Sequence, residues 1–241
     1  MNLKRFIAFS GKIYQETEIC IIDIYKLFKV YNSQFLKHSS FFSKPTKIKA
    51  ADFYFLGNFF SAREIKTING FKTIKKQFEW MSARIGIKNL VKNKYPHLSF
   101  RSIETEKDIY GAPLIKNLPF LNISISHSGK YAVSAINEKQ RIGIDLEELK
   151  CLNTKYLLYA GFSKKEKKLT CPENYFEILK LWTIKESYLK YIKKGFNESL
   201  KKVEIIKNKI YHNGVPIKNV CTESFFLLEN YVVSFVYENN I

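Results

Sequence analysis

The sequence predicts an α+β protein with two similar halves, each formed by helices packed on a small antiparallel sheet. The 241-residue chain is 46% hydrophobic, which is enough to bury a substantial core. The same order of signals also occurs twice. A Ser-x-x-Glu helix start, at Ser61 and again at Ser163, precedes a long helical pattern and then short β-branched runs. This repetition predicts a pseudo-twofold relationship between the halves.

The first half opens on weak signals and then becomes clearly helical. Residues 1–15 give no clear pattern, residues 18–25 predict a strand, and residues 30–50 predict a loop. Ser61 and Glu64 have the spacing of a capping box and start the first of two helices, which separate near Asn69-Gly70. The second helix, about residues 72–92, has apolar side chains at helical spacing. Its other face carries four basic residues, Lys75, Lys76, Arg84 and Lys88.

Strand signals follow the helices in both halves. Residues 122–126, 131–136 and 141–146 are separated by short turns and predict a three-stranded antiparallel meander. In the second half, a helix over about residues 173–194 ends before Gly195, and hairpin-like segments follow up to residue 237. We place an N-terminal extension at 1–16, a first half at 17–147 and a second half at 148–241.

Composition sets limits on location and partners. The chain has 40 Lys+Arg against 22 Asp+Glu, a formal net charge of +18, and such a surface attracts phosphates, nucleic acid, anionic lipid or acidic proteins. Its 4 cysteines include no Cys-x-x-Cys pair, which argues against a zinc framework or a disulfide scaffold and predicts a cytoplasmic protein. No apolar stretch has the length of a signal peptide or a membrane span, so we expect no membrane partner.

An acidic pair lies in the segment Arg141–Glu148. Apolar residues alternate there with polar ones, which predicts a strand on which Asp145 and Glu147 point the same way. Two carboxylates held that close repel each other unless a proton or a cation lies between them. The pair has two interpretations, a divalent metal site and a solvent-facing strand end.

The long helix of the second half supplies a third acid. Positions four apart share a helix face, so Trp182, Glu186 and Lys190 line up. A surface Glu–Lys pair would fit this spacing, but a tryptophan on the same face argues against full exposure. If that face packs on the acidic strand, Asp145, Glu147 and Glu186 converge. A set of oxygen ligands without His or Cys suits Mg²⁺.

A phosphate site is predicted around His127, where a strand gives way to a glycine-containing turn. Ser126, Ser128 and Gly129 flank the imidazole, and a turn of this kind leaves backbone amides and hydroxyls facing an anion. The alternative is a structural histidine.

Together these stretches resemble a known family. ISHS (125–128), GIDLE (143–147) and WTIKESYLK (182–190) follow one another as they do in the 4′-phosphopantetheinyl transferases. The resemblance covers about residues 17–237. The two-half length places the chain with the Sfp-like class rather than with the short holo-acyl-carrier-protein synthases. The acidic strand and the W-x-x-K-E-x-x-x-K helix are specific only in combination.

The resemblance implies transfer of the phosphopantetheine arm of coenzyme A to a serine of an apo carrier protein, with release of adenosine 3′,5′-bisphosphate. Asp145, Glu147 and Glu186 would hold Mg²⁺. Glu186 would also serve as base, directly or through water, and Lys190 would contact the phosphates. His127 with Ser126 would bind the 3′-phosphate of coenzyme A, and Lys66 its nucleotide end.

One position departs from the family. A basic residue usually follows the glycine of its YGKP-like turn, whereas Tyr110-Gly111-Ala112-Pro113 has Ala112 there. We expect Lys107 or another lysine to replace that phosphate contact. The resemblance also implies an acidic acyl or peptidyl carrier as partner. A chain of two fused halves is expected to be a monomer, since the short class builds its site between subunits.

Two other functions remain as alternatives. A basic nucleic-acid-binding or metal-dependent nuclease-like protein would use the same carboxylates, but it predicts basic and aromatic residues interleaved on one surface, whereas the aromatics here have core-like spacing. The second alternative is a relative of this family that binds coenzyme A but does not transfer the phosphopantetheine group. The intact set of Asp145, Glu147, Glu186 and Lys190 argues against it. The carrier and its pathway are not specified by the sequence.

Overall fold

The computed structural model describes residues 3–31, 56–149, 154–227 and 230–239. The chain forms two compact units: unit 1 comprises residues 1–106 and 113–137, and unit 2 comprises residues 107–112 and 138–241. Both combine helices with small antiparallel sheets, which confirms the predicted α+β class. Within the described ranges, none of the helices has the length and apolar character that crossing a bilayer requires.

Unit 1 is built around one long helix and a four-stranded sheet. Its helices are α1 (Ile24–Tyr31), α2 (Leu56–Phe59), α3 (Ala62–Gly70) and α4 (Ile74–Lys94). Its strands are β1 (Ile7–Lys12), β2 (Glu18–Asp23), β3 (Thr105–Lys107), β4 (Pro113–Ile115), β5 (Asn122–Ser128) and β6 (Tyr131–Asn137). The last residue of β3 counts with unit 2.

The sheet of unit 1 has the order β1-β2-β6-β5, with every neighbouring pair antiparallel. Helix α4 starts at the N-cap Thr73, whose side chain accepts a hydrogen bond from the amide of Lys76. The helix packs on β2 and β6. It approaches β6 closely at Gly86, where a Cβ would overlap the hydroxyl of Ser134.

Unit 2 repeats the combination of a long helix with a sheet. Its helices are α5 (Thr154–Gly161), α6 (Lys164–Leu169) and α7 (Tyr175–Tyr191). Its strands are β7 (Ile142–Glu148), β8 (Val203–Ile206), β9 (Lys209–His212), β10 (Val215–Pro216), β11 (Val220–Leu227) and β12 (Tyr231–Glu238). One sheet has the order β11-β12-β7 and lies against α7, and the other has the order β10-β9-β8.

Both predicted capping boxes are confirmed, at Ser61–Glu64 and at Ser163–Glu166. The prediction that Lys88 lies on a polar helix face is wrong. Its side chain is fully buried and its ammonium lies 2.8 Å from the carboxylate of Glu64. Arg84, predicted on the same face, is also buried. Pairing with an acid, or stacking on an aromatic ring as Arg84 does on Trp80, allows a long basic side chain to enter a core.

The predicted meander is wrong in its third strand. β5 and β6 form a hairpin, but β7 pairs with β12, with Asp145 opposite Ser234. The alternation of polarity in β7 predicted a strand correctly but did not specify its partner. The last strands were predicted well, because β11 and β12 pair around residue 230.

The N-terminal region differs from expectation at three places. Residues 1–15 include a regular strand, β1. The strand predicted over 18–25 ends at Asp23, because the Asp23 side chain accepts a hydrogen bond from the amide of Lys26 and thereby starts α1. The loop predicted over 30–50 lies outside the described residues except for its first two positions, which belong to α1.

Along the chain, unit 1 ends at residue 137 and unit 2 continues from residue 138, so β7 belongs to unit 2 and β1 belongs to unit 1. The division of the chain at 16/17 and 147/148 stays a prediction.

Candidate functional site

Strand β7 holds Asp145 in a buried position rather than on a solvent-facing strand end. Residues 142–146 are buried, with β12 paired along one edge of the strand and α7 packed against the strand. Gly143 permits this packing, since a Cβ there would overlap the carbonyl oxygen of Ser187 in α7. Asp145 is therefore only 3% exposed.

Helix α7 brings Glu186 and Lys190 to the same place, as their four-residue spacing predicts. The ammonium of Lys190 donates hydrogen bonds to Asp145 Oδ1 at 2.6 Å and to the carbonyl oxygen of Ile144 at 3.1 Å. Glu186 is 6% exposed. This helix face thus packs on the acidic strand at Asp145. We call Asp145, Glu186 and Lys190 the acidic site.

The electrostatics of the acidic site reflect two buried acids and one base. Burial raises the pKa of Glu186 to about 7, the charge of Asp145 adds to the rise, and Lys190 opposes it. Two buried carboxylates close to each other with one ammonium carry a net negative charge when both are ionised. A site of this charge and burial attracts a further cation.

Glu147 does not join the other two acids in a compact group. It is half-buried at the end of β7. Within the described ranges, no cluster of three or more His, Cys, Asp or Glu side chains has the geometry of a metal site. Asp145 and Glu186 alone still fit Mg²⁺, which is often bound through one or two carboxylates, with water and phosphate oxygens as the other ligands.

His127 lies in the last part of β5, inside the strand rather than after it. Its Nδ1 is 3.8 Å from Glu79 Oε2, and the ammonium of Lys76 is 2.8 Å from the same oxygen. Glu79 is buried and Lys76 is largely exposed. The imidazole therefore lies beside a buried carboxylate that the ammonium of an exposed lysine also contacts.

The remaining predicted residues lie on exposed or partly exposed positions. Ser126 precedes His127 in β5, and since successive strand residues point to opposite faces, the two side chains do not share a face. Lys66 is exposed on α3, and Lys107 is exposed at the end of β3. The turn with Ala112 is closed by Asp108, whose carboxylate accepts hydrogen bonds from the amides of Tyr110 and Ala112.

Sequence reasoning missed Lys185, which precedes Glu186 in α7 and forms a buried ion pair in unit 2. Lys185 is fully buried and its ammonium contacts Glu166 Oε2 at 2.6 Å. It also donates to the carbonyl oxygens of Gly161 and Leu200. The available signal was the glutamate of the capping box, since an acid that both caps a helix and enters a core requires a basic partner.

Comparisons with known proteins agree with these motifs. Residues 141–236 match the family model described as the 4′-phosphopantetheinyl transferase superfamily. The chain is 32% identical over 117 residues to 4′-phosphopantetheinyl transferase Sfp of Bacillus subtilis (strain 168), covering 46% of this chain and 50% of that protein. It is 30% identical over 120 residues to 4′-phosphopantetheinyl transferase psf-1 of Bacillus pumilus, covering 47% of this chain and 49% of that protein. The matched part thus spans about half the length of these curated relatives.

A solved holo-(acyl-carrier-protein) synthase from Bacillus anthracis str. Ames, in complex with CoA (3′,5′-ADP), also matches. Its TM-score is 0.32 and its identity 19%, over 41% of this chain and 96% of that one, a likeness too low to support a conclusion. The family model, in contrast, spans β7, α7, β11 and β12, which are the elements that hold and surround the acidic site. Residues 141–236 of this chain are therefore similar to the 4′-phosphopantetheinyl transferase superfamily.

Proposed function

We propose that the chain transfers the 4′-phosphopantetheine group of coenzyme A to a serine hydroxyl of an apo carrier protein. The observation that carries the proposal is the acidic site, in which Asp145, Glu186 and Lys190 meet on β7 and α7. The same elements lie in the stretch that matches the superfamily. A surface ion pair would not need two buried carboxylates.

The reaction is a phosphoryl transfer. The serine oxygen attacks the phosphorus that carries the pantetheine arm, the pyrophosphate P–O bond breaks, and adenosine 3′,5′-bisphosphate leaves. The serine proton passes to a base. Mg²⁺ bound by Asp145 and Glu186, with Glu147 as the further ligand that the motif predicts, would neutralise charge on the pyrophosphate oxygens.

The side chains of unit 2 have distinct roles in this proposal. Glu186 accepts the serine proton, directly or through a water molecule. Lys190 offsets charge on the leaving group, because its ammonium is already positioned at the acidic site by Asp145 and the carbonyl of Ile144.

Further residues are assigned to coenzyme A recognition on the strength of the family motifs. His127, together with Ser126, the residue before it in β5, binds the 3′-phosphate. Lys66 serves the nucleotide end. Lys107 provides the phosphate contact that Ala112 does not.

The partner in this proposal is an acidic carrier protein in the cytoplasm, and the enzyme acts as a monomer. The formal net charge of +18 supports an acidic partner, because opposite charges accelerate encounter. Screening provides the check: transfer under substrate-limited conditions should slow as ionic strength rises. Rates that do not change with salt would contradict electrostatic steering without affecting the chemistry.

The function is tested by incubating the protein with coenzyme A, Mg²⁺ and an apo carrier and weighing the carrier by mass spectrometry. We expect one added phosphopantetheine and release of adenosine 3′,5′-bisphosphate. Asp145→Asn and Glu186→Gln should each lower the rate by about 10²–10⁴-fold. Glu177→Gln is the matched control, because it lies nine residues earlier in α7, on the opposite helix face.

The proposal fails if the carrier mass stays unchanged with several apo carriers although the protein is folded. It also fails if Glu186→Gln and Glu177→Gln have equal rates. A chain that only binds coenzyme A would show binding by calorimetry without any change in carrier mass.

A further inference from the structure

The two units contain the same buried ion pair. In unit 1 the capping-box residue Glu64 pairs with Lys88 of α4, and in unit 2 Glu166 pairs with Lys185 of α7. Both glutamates are 1% exposed and both lysines are fully buried. Each lysine also donates to two backbone carbonyls, and the second oxygen of each glutamate accepts a backbone amide, from Thr105 or from Ile205.

The contact between long helix and sheet is repeated as well. Ser134 of β6 donates to the carbonyl oxygen of Ala83, three residues before Gly86. In unit 2 the corresponding hydroxyl is that of Ser234 in β12, which forms a hydrogen bond with the hydroxyl of Thr183. Thr183 in turn donates to the carbonyl oxygen of Lys180, three residues before it. Gly86 and Thr183 both lie two residues before the buried lysine. The two helices therefore correspond residue for residue around this point.

This correspondence locates the unit 1 counterpart of the acidic site. Asn89 follows Lys88 as Glu186 follows Lys185. Cys20 lies opposite Ser134 in the β2–β6 ladder, as Asp145 lies opposite Ser234 in the β7–β12 ladder. The two counterparts also contact each other: Asn89 Nδ2 donates to Cys20 Sγ at 4.0 Å. A neutral amide–thiol pair therefore occupies the place that two carboxylates have in unit 2.

An open groove of about 690 Å³ lies at this counterpart. Asn89 and Asn93 both line it. Asn93 lies four residues after Asn89 in α4, which is the spacing of Glu186 and Lys190 in α7. β1 forms another wall, and its Ser10 lies opposite Cys20 in the ladder. No acidic side chain is among the groove's lining residues, which are Leu3, Lys4, Ile7, Ala8, Phe9, Ser10, Asn89, Asn93 and Phe100. We call this space the unit 1 groove.

The groove offers a divalent cation no charged ligand. Burial raises the pKa of Cys20 to about 12, so the thiol stays protonated at neutral pH and is a poor metal ligand. The carboxamide of Asn89 carries no charge. A hard divalent cation needs carboxylate oxygens to replace its hydration, and the neutral pair provides none.

We propose that the unit 1 groove lies at the counterpart of the unit 2 cation site, with Cys20 and Asn89 at the positions that correspond to its two carboxylates. The chain accordingly binds one divalent cation, in unit 2, and unit 1 accepts another when acids are placed at positions 20 and 89. The part that concerns unit 2 rests on the proposed function. The part that concerns unit 1 rests on the repeated contacts alone.

Counting bound Mn²⁺ by electron paramagnetic resonance and calorimetry tests the inference on four proteins. We expect one Mn²⁺ per chain for the wild type and none for Asp145→Asn/Glu186→Gln. Cys20→Asp/Asn89→Glu should bind two, and the combination of all four substitutions should bind one. Asn93→Glu is the control for charge in the groove. It adds an acid without completing the pair, and it should leave the count at one.

Each result decides a separate point. A folded quadruple variant that binds no Mn²⁺ overturns the inference, as does a gain of a cation with Asn93→Glu alone. A wild type without bound Mn²⁺ contradicts the cation in unit 2, while a quadruple variant with one Mn²⁺ still supports the unit 1 site. If Cys20→Asp/Asn89→Glu is unfolded, as two buried acids can cause, refolding in millimolar Mn²⁺ supports the inference and persistent unfolding overturns it.

Discussion

Lys185→Met is expected to destabilise unit 2 by several kcal/mol. The ammonium is fully buried and contacts Glu166 Oε2 and the carbonyl oxygen of Gly161, each at 2.6 Å, and that of Leu200 at 3.3 Å. Burial lowers the pKa of Lys185, and Glu166 opposes the shift. Methionine has a similar length and fills the space, so the main change is the loss of the charge.

The magnitude follows from what is left behind. Removing one partner of a buried ion pair costs about 3–5 kcal/mol, because the other charge stays buried without compensation. Glu166 keeps its hydrogen bonds from the amides of Ser163 and Ile205, both at 2.9 Å. We therefore expect the lower end, about 3 kcal/mol. A domain stabilised by about 5–15 kcal/mol would lose a large share of its stability.

Urea unfolding followed by tryptophan fluorescence measures this loss in unit 2 alone. The chain has 2 tryptophans, Trp80 in unit 1 and Trp182 in unit 2, so a Trp80→Phe background reports on Trp182. Glu166→Gln/Lys185→Met should recover part of the loss, since it leaves no unpaired charge. Exposed Lys165→Met is the control and should change the free energy by less than about 0.5 kcal/mol. A loss below about 1 kcal/mol for Lys185→Met would refute the buried-pair reasoning.

Three further outcomes can be measured. Gly143→Ala should lose about 3 kcal/mol in urea unfolding, since its methyl group would overlap the Ser187 carbonyl, whereas Gly57→Ala, with open space around it, should be nearly neutral. The raised pKa of Cys20 means that stability declines as pH rises from 9.0 towards 12, by up to about 4 kcal/mol, and Cys20→Ser should lack this part of the decline in unfolding measured across that range. Mg²⁺ at about 100 times its Kd should raise the unfolding free energy by about 2.7 kcal/mol, and replacing both acids of the acidic site should abolish the gain.

Local patterns in the sequence predicted most of the helices and strands. Capping boxes and apolar periodicity are read from neighbouring residues, so α3, α4, α6 and α7 were located within a few positions. Strand pairing depends on distant residues. The partner of β7 is β12, about 90 residues later in the chain, and nothing in the alternation of β7 distinguishes β12 from the nearby β6.

The acidic site was only partly predictable, because local spacing places residues on one face of a helix or strand but does not show which distant residues meet. The spacing of Glu186 and Lys190 fixes them on one helix face, and the motif combination linked that face to Asp145. The convergence of Glu147 was inferred from side-by-side projection on a strand. The structure leaves it half-buried at the strand end, after the fully buried residues 142–146. Position along the strand, and not only its face, decides which acid meets the helix.

Lys185 and Glu186 are neighbours in α7, yet their charges have separate uses. Lys185 completes the buried pair that recurs in unit 1 as Glu64–Lys88, where the neutral residues Asn89 and Cys20 lie at the counterpart of the acidic site. The pair therefore belongs to the stability of the fold, and the acids at 145 and 186 belong to the chemistry of one unit. It follows that unfolding and cation binding should separate in the variants: Lys185→Met should lower the free energy of unfolding, whereas Glu186→Gln should remove the cation and the activity but leave the fold stable, since it relieves repulsion with Asp145. If Glu186→Gln unfolded the protein as readily as Lys185→Met, stability and chemistry would rest on the same charges, and the comparison between the units would lose its basis.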